Sequence, residues 1–160
     1  MHNNGKILFI VNPIAGGNRK KDWESTIRSF LNGYTAEIEF FFQTGGNDRP
    51  AIQERIDIFC PGKVVAVGGD GTVKMVAGMV KESTLVLGII PAGSANGLAK
   101  ELGIPSDVGG ALTIILEGEQ RPLDAIKINE EHLSFHLSDL GLNALLVKYF
   151  EASNVRGMWG

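Results

Sequence analysis

Three times in this chain a short apolar run, rich in β-branched residues, ends in a glycine-bearing turn and passes straight into a helix-forming segment. Ile7 to Val11 leads into Asn12-Pro13-Ile14-Ala15-Gly16-Gly17-Asn18, Val64 to Val67 into Gly68-Gly69-Asp70-Gly71-Thr72, and Leu85 to Ile90 into Pro91-Ala92-Gly93-Ser94-Ala95-Asn96-Gly97. The runs do not alternate apolar with polar residues, so both faces of each strand must be covered, as in parallel sheets. Parallel strands need helical crossovers of one hand. The repeated unit therefore confines the chain to an α/β fold with an open, mainly parallel sheet. It also puts all three turns at the carboxyl edge, where such sheets hold their ligands.

The intervening segments carry the helices this sheet requires. Trp23, Ile27, Phe30 and Leu31 recur at helical spacing, as do Ala95, Leu98, Ala99 and Leu102. Val108, Ala111, Leu112 and Ile115 form another stripe, after Pro105 and a Ser106 cap and ending at Gly118. A further helix starts near Thr72, and Ile52, Ile56 and Phe59 mark a weaker one. Ile38 to Phe42 reads as a strand, with its three phenylalanines Phe40, Phe41 and Phe42 in core packing. The resulting order, β-α-β-α-β-α-β-α-α, covers roughly residues 5 to 120. After Arg121-Pro122 the pattern becomes antiparallel: Leu123 to Ile128, a turn at Asn129-Glu130-Glu131, then alternation from His132 to Leu140. The expected organisation is an α/β lobe over residues 1–121 and the start of a β-rich lobe over 122–160.

Composition removes several function classes. Glycine supplies 21 of the 160 residues, about 13% where roughly 7% is usual, and without a Gly-x-y period the excess serves turns. Fifteen basic and 18 acidic residues give a net charge of -3 with no block of one sign, so nucleic acid is not an expected partner. Cys60 is the single cysteine, which rules out an intrachain disulfide or a cysteine-built zinc site and fits a reducing cytoplasm. His132 and His136 share a strand face without a third ligand and read as packing or surface residues rather than a metal site. No stretch reaches 18 apolar residues, so a soluble chain is expected, with peripheral membrane contact left open.

Gly68 to Thr72 is the most informative turn. Its glycines let the backbone approach an anion, and the helix that follows offers unpaired N–H groups and a partial positive charge. The Walker spacing is absent, and Lys74 stands where the dinucleotide fingerprint needs its third glycine. Asp70 would repel a phosphate directly, so it acts through magnesium, a water or a hydroxyl, or else simply caps the helix. Ser94 either caps its own helix or holds a phosphate oxygen. The first turn is open to two readings, a tight strand-helix connection or a ligand loop.

Taken together, Asn12-Pro13 with its glycines, Gly68-Gly69-Asp70-Gly71-Thr72 and Pro91-Ala92-Gly93-Ser94-Ala95-Asn96 resemble the diacylglycerol kinase catalytic domain family, over roughly residues 5 to 150. That family includes sphingosine kinases and bacterial lipid kinases and is distantly similar to NAD kinases and phosphofructokinases. The resemblance implies a Rossmann-like α/β lobe followed by a β-sandwich, with ATP and Mg2+ in the cleft and a lipid hydroxyl as phosphoryl acceptor. It places Asn12, Pro13, Ile14, Ala15, Gly16, Thr44, Gly68, Gly69, Asp70, Gly71, Thr72, Ser94 and Asn96 at the nucleotide site, with Asp70 in the catalytic role.

The chain departs from the family at several polar positions. Lys74-Met75 stand in place of Asn-Glu, Gly97 in place of Asp, and Asn143 in place of the Asp of a Gly-Phe-Asp-Ala segment matched by Leu140 to Ala144. The family's general base and metal-binding carboxylates lie beyond residue 160, so the resemblance implies an N-terminal fragment with little turnover alone. An unfinished β-lobe would also leave strand edges open to a second copy of the chain. Two alternatives remain at this level: a kinase for NAD or a small soluble alcohol, and a nucleotide-binding regulatory module without catalysis.

Overall fold

The computed structural model describes residues 5–16, 22–128 and 132–134. Its elements run β1 (Lys6–Val11), α1 (Trp23–Phe30), β2 (Glu37–Phe42), α2 (Arg49–Phe59), β3 (Lys63–Gly68), α3 (Asp70–Val80), β4 (Val86–Pro91), α4 (Gly97–Glu101), α5 (Val108–Glu117), β5 (Ile126–Ile128) and β6 (His132–Ser134). β1 to β4 make one all-parallel sheet in the order β2-β1-β3-β4. The expected α/β architecture and its element order are both present.

Burial explains the uninterrupted apolar strands. Ile7, Phe9, Val11, Val65, Val67 and Ile90 face a core with Trp23, Ile27 and Leu31 of the α1 segment and Ala111, Leu112 and Ile115 of α5. Because side chains alternate along a strand, Leu8, Ile10, Val64 and Ala66 point to the opposite face, which α2 and α3 cover. β2 is an edge strand and keeps alternation: Ile38 and Phe40 pack on the core, while Glu37 and Glu39 pair with Lys6 (3.4 Å) and Arg55 (3.9 Å). Phe40 stacks on Phe9 at 5.1 Å, but Phe42, at the end of this edge strand, is 43% exposed. Lys63 donates to the Ile115 carbonyl at 2.5 Å, tying β3 to α5, and its burial lowers the ammonium pKa.

Local chemistry moves some boundaries away from their expected places. α3 begins at Asp70, two residues before Thr72, because Gly69 is extended and serves as N-cap. β4 runs one residue later than Leu85 to Ile90 and ends in Pro91. The cap of α5 is Asp107, not Ser106: its extended backbone lets the carboxylate accept the Gly110 N–H at 2.7 Å. α4 is only five residues long, since Asn96 sits in the left-handed region (φ 50°) just ahead of it and Gly103 (φ 68°) follows it. Ala95 therefore precedes the helix, and Leu102 is exposed rather than part of a buried stripe.

The chain divides into two compact units between Leu123 and Asp124. In the second, β5 and β6 pair antiparallel with Ile126 opposite Ser134 and Ile128 opposite His132, as the alternation from His132 suggested. The turn at Asn129-Glu130-Glu131, His136 and Asn143 lie outside the described residues. No helix among the described residues is long and apolar enough to cross a membrane.

Gly88 supplies a test of this packing. A Cβ there would sit 2.9 Å from Val65 Cγ2 and 3.1 Å from Ile115 Cγ1, between β3 and α5. Gly88→Ala is expected to cost about 1–3 kcal/mol by overpacking, measured by urea unfolding.

Candidate functional site

The register of the sheet brings the strand ends to one level. Val11 lies opposite both Phe42 and Val67, and Gly68 lies opposite Pro91. From β1 the chain crosses to β2 on one side, and from β3 to β4 on the other, so strand order reverses between β1 and β3. That reversal lies between the turns after those two strands, the place where open α/β sheets take their ligands.

The turn after β3 presents backbone donors. Gly69, Asp70, Gly71 and Thr72 precede the first intrahelical bond of α3, which runs from Val73 N–H to the Gly69 carbonyl (3.1 Å). Their own N–H groups have no acceptor among the described residues, and Asp70 and Gly71 are exposed. Thr72 is 5% exposed; its side chain lies over Gly68 so closely that a Cβ on Gly68 would overlap Oγ1. Its hydroxyl donates to Gln43 Oε1 at 3.1 Å and is thereby used inside the protein.

The turn after β4 is pressed against this one. Ala92 N–H donates to the Gly68 carbonyl at 2.9 Å, and a Cβ on Gly93 would stand only 2.5 Å from Gly69 Cα. Asn96 closes a ring on Gly93: Oδ1 accepts its N–H (2.8 Å) and Nδ2 donates to its carbonyl (2.7 Å). Asn96 thus braces the loop with both ends of its carboxamide. Ser94 is exposed and does not cap α4, whose N-cap is Asn96; its hydroxyl has no partner among the described residues. Asp70 does not cap its own helix either. It reaches across to accept the Leu98 N–H at 3.4 Å, linking α3 to α4.

The turn after β1 is shaped by Asn12. Its N–H donates to the Val67 carbonyl (2.9 Å), its Oδ1 accepts the Ile14 N–H (3.1 Å) and its carbonyl accepts the Ala15 N–H (3.1 Å). Pro13 and Ile14 are exposed, Ala15 is buried, and Gly16 adopts φ 88°, a region open to glycine, with its Cα hydrogen facing the Ala92 carbonyl. Gly17 lies outside the described residues.

Thr44 is held in a turn of its own. Its hydroxyl donates to Asp48 Oδ1 at 2.6 Å, its N–H donates to the same carboxylate, and Oγ1 accepts the Gly46 N–H at 3.2 Å. Two residues of this segment escaped the sequence reading. Asp48 had a signal, a Gly-Gly-Asn-Asp turn just before Pro50 at the start of α2. Gln43 had none, because its partner Thr72 lies 29 residues away.

Asp70 is the one carboxylate of the glycine turn, and no group of three or more metal-ligating side chains occurs among the described residues. That sparse set does not suit an all-protein metal cage. It suits magnesium, which one or two carboxylates hold together with substrate phosphates and water.

Comparison with known proteins decides the family. Residues 6–128 match the family described as diacylglycerol kinase catalytic domain. The chain belongs to this family. A probable lipid kinase YegS-like from Pectobacterium atrosepticum is 31% identical over 149 residues, covering 88% of this chain and 48% of that protein. A diacylglycerol kinase from Staphylococcus aureus is 36% identical over 84 residues, 51% of this chain and 25% of that protein. The crystal structure of a diacylglycerol kinase from Bacillus anthracis superposes with a TM-score of 0.64 at 27% identity, over 76% of this chain and 42% of that one. The chain thus spans about half, or less, of the length of these relatives.

The glycine contacts separate two substitutions of the same kind. Gly93→Ala drives a methyl into Gly69 and into Asn96 Oδ1 (2.9 Å), and is expected to cost about 1–3 kcal/mol in urea unfolding. Gly71→Ala meets nothing within 4 Å in the first turn of α3, and is expected to be neutral or stabilising by a few tenths of a kcal/mol.

Proposed function

We propose that this chain forms the nucleotide lobe of an ATP-dependent lipid kinase, which transfers the γ-phosphoryl group of ATP to the hydroxyl of a lipid. The observation that carries the reading is the row of amides from Gly69 to Thr72, unengaged among the described residues, at the point where strand order reverses, in a chain of the diacylglycerol kinase family. A helix start with N–H groups unengaged among the described residues favours an anion such as a phosphate.

In this reading the amides of Gly69, Asp70, Gly71 and Thr72 and the hydroxyl of Ser94 meet the phosphates. Asn12, Pro13, Ile14, Ala15 and Gly16 line the opposite wall, Gly68 allows the close approach of Thr72, and Asn96 and Thr44 shape their loops. Asp70 would hold the magnesium ion that accompanies ATP, and that ion would supply charge neutralisation for phosphoryl transfer. In the transfer, the lipid oxygen forms a bond to the γ-phosphorus as the bond to the β,γ-bridging oxygen breaks. ADP leaves, and the hydroxyl proton passes to a base. We assign that base, the acceptor pocket and the remaining metal carboxylates to the part of the relatives' length that this chain does not span. The lone Cys60 and the bacterial relatives fit a cytoplasmic setting, with the lipid met at a membrane surface.

Calorimetric titration of Mg-ATP tests the reading. Asp70→Ala is expected to weaken Mg-ATP binding about tenfold or more. With magnesium chelated the order reverses, and Asp70→Ala binds free ATP more tightly than the parent because a repelling carboxylate is gone. The stability cost stays within about 1 kcal/mol, since Asp70 is exposed and its bond to Leu98 is long. A folded parent chain that shows no saturable heat with Mg-ATP at about millimolar concentration overturns the nucleotide site.

A further inference from the structure

We infer that Gln43 is a positioning residue for the amide row of the glycine turn, acting through the Thr72 hydroxyl; the inference deepens the nucleotide reading above and rests on it. Gln43 is the residue after β2, and its backbone N–H donates to the Val11 carbonyl at 2.8 Å, so it is anchored to the end of β1. From there its carboxamide reaches α3 twice: Oε1 accepts the Thr72 hydroxyl at 3.1 Å, and Nε2 lies 3.6 Å from Met75 Sδ. The partners dictate that orientation. A thioether has no proton to give, so the NH2 group must face Met75 and the oxygen must face Thr72.

The bond matters because Thr72 has little freedom. Thr72 is 5% exposed, and losing Gln43 would leave its largely buried hydroxyl to find another acceptor. The Gly68 carbonyl already takes the Ala92 N–H at 2.9 Å, the bond that ties the two turns together. The Thr72 side chain also packs over Gly68, where a Cβ would overlap it, so the Thr72 rotamer and the Gly68 backbone are set as one unit. By fixing that rotamer, Gln43 fixes where the amides of Gly69 to Thr72 stand relative to β1.

The test titrates Mg-ATP into the 160-residue chain and its variants Gln43→Met, Thr72→Val and the double variant. Each single change is expected to weaken binding about five- to tenfold, the scale of one net hydrogen bond, and the double variant no further. Amide resonances of Gly68 to Val73 shift in Gln43→Met, while Gln43→Glu, which keeps an acceptor for Thr72, leaves them near their parent positions. Additive losses, or a Gln43→Met chain that binds like the parent, overturn the inference and leave the nucleotide site standing. If the parent binds no Mg-ATP, the nucleotide reading fails and the resonances decide alone: movement in Gln43→Met upholds the positioning role, and unmoved Gly69 to Thr72 signals overturn it. Should Gln43→Met not fold, Thr72→Val and Gln43→Glu carry the same comparison.

Discussion

Two backbones that touch at Gly69 and Gly93 set the geometry of the sheet's carboxyl edge. The sheet register delivers β3 and β4 with Gly68 opposite Pro91, so the turns that follow leave side by side. With a Cβ on Gly93 they would have to part, since it would stand 2.5 Å from Gly69 Cα, and one on Gly69 would press on Gly93 Cα at 3.2 Å. Their contact lets the Gly68 carbonyl take the Ala92 N–H and lets Asp70 reach the Leu98 N–H of α4. The amides at the start of α3 and the loop before α4 thereby become parts of one rigid surface, although each belongs to a different strand-turn-helix unit.

That surface uses its side chains inward and its main chain outward. Thr72, Thr44 and Asn96 each have a polar group with ligand-binding chemistry, yet each spends it on a neighbour: Gln43, Asp48 and the Gly93 peptide respectively. What they leave unengaged among the described residues is the amide N–H groups of Gly69 to Thr72 and the Ser94 hydroxyl, beside the exposed carboxylate of Asp70. For an anionic ligand this is an economical division, because backbone dipoles held in place need no reorganisation when charge arrives, and no buried cation has to be desolvated beforehand.

The legible parts of this fold were those with local causes. Strands covered on both faces announce themselves as unbroken apolar runs, and α1, α2 and α5 follow from stripes at helical spacing. The glycine turns were readable because positive φ and close backbone approach both demand glycine at fixed places. Errors arose where one backbone angle decided the outcome: Asn96 in the left-handed region cut α4 short, and an extended Gly69 started α3 early. The exposure of Phe42 was hidden because strand order, which makes β2 an edge, is not written in the β2 sequence. The bracing roles of Gln43 and Asn96 were hidden for a similar reason. A residue type names the groups a side chain can offer, whereas the partner that consumes them is a product of the fold.

The electrostatics of the turn also explain why a single carboxylate at its centre is compatible with an anion site. The start of α3 contributes roughly half a positive charge, while Asp70 contributes a full negative one at the first helical position. Taken alone, the pair would turn away a triphosphate. Asp70 is exposed, however, and one of its oxygens is only loosely engaged by Leu98, so its charge remains available to a cation. Met75, further along α3, adds no second negative charge and instead faces the Gln43 amide. On the proposed nucleotide reading, an anion that arrives with a divalent cation would meet net attraction at this turn, and the same anion alone would meet net repulsion.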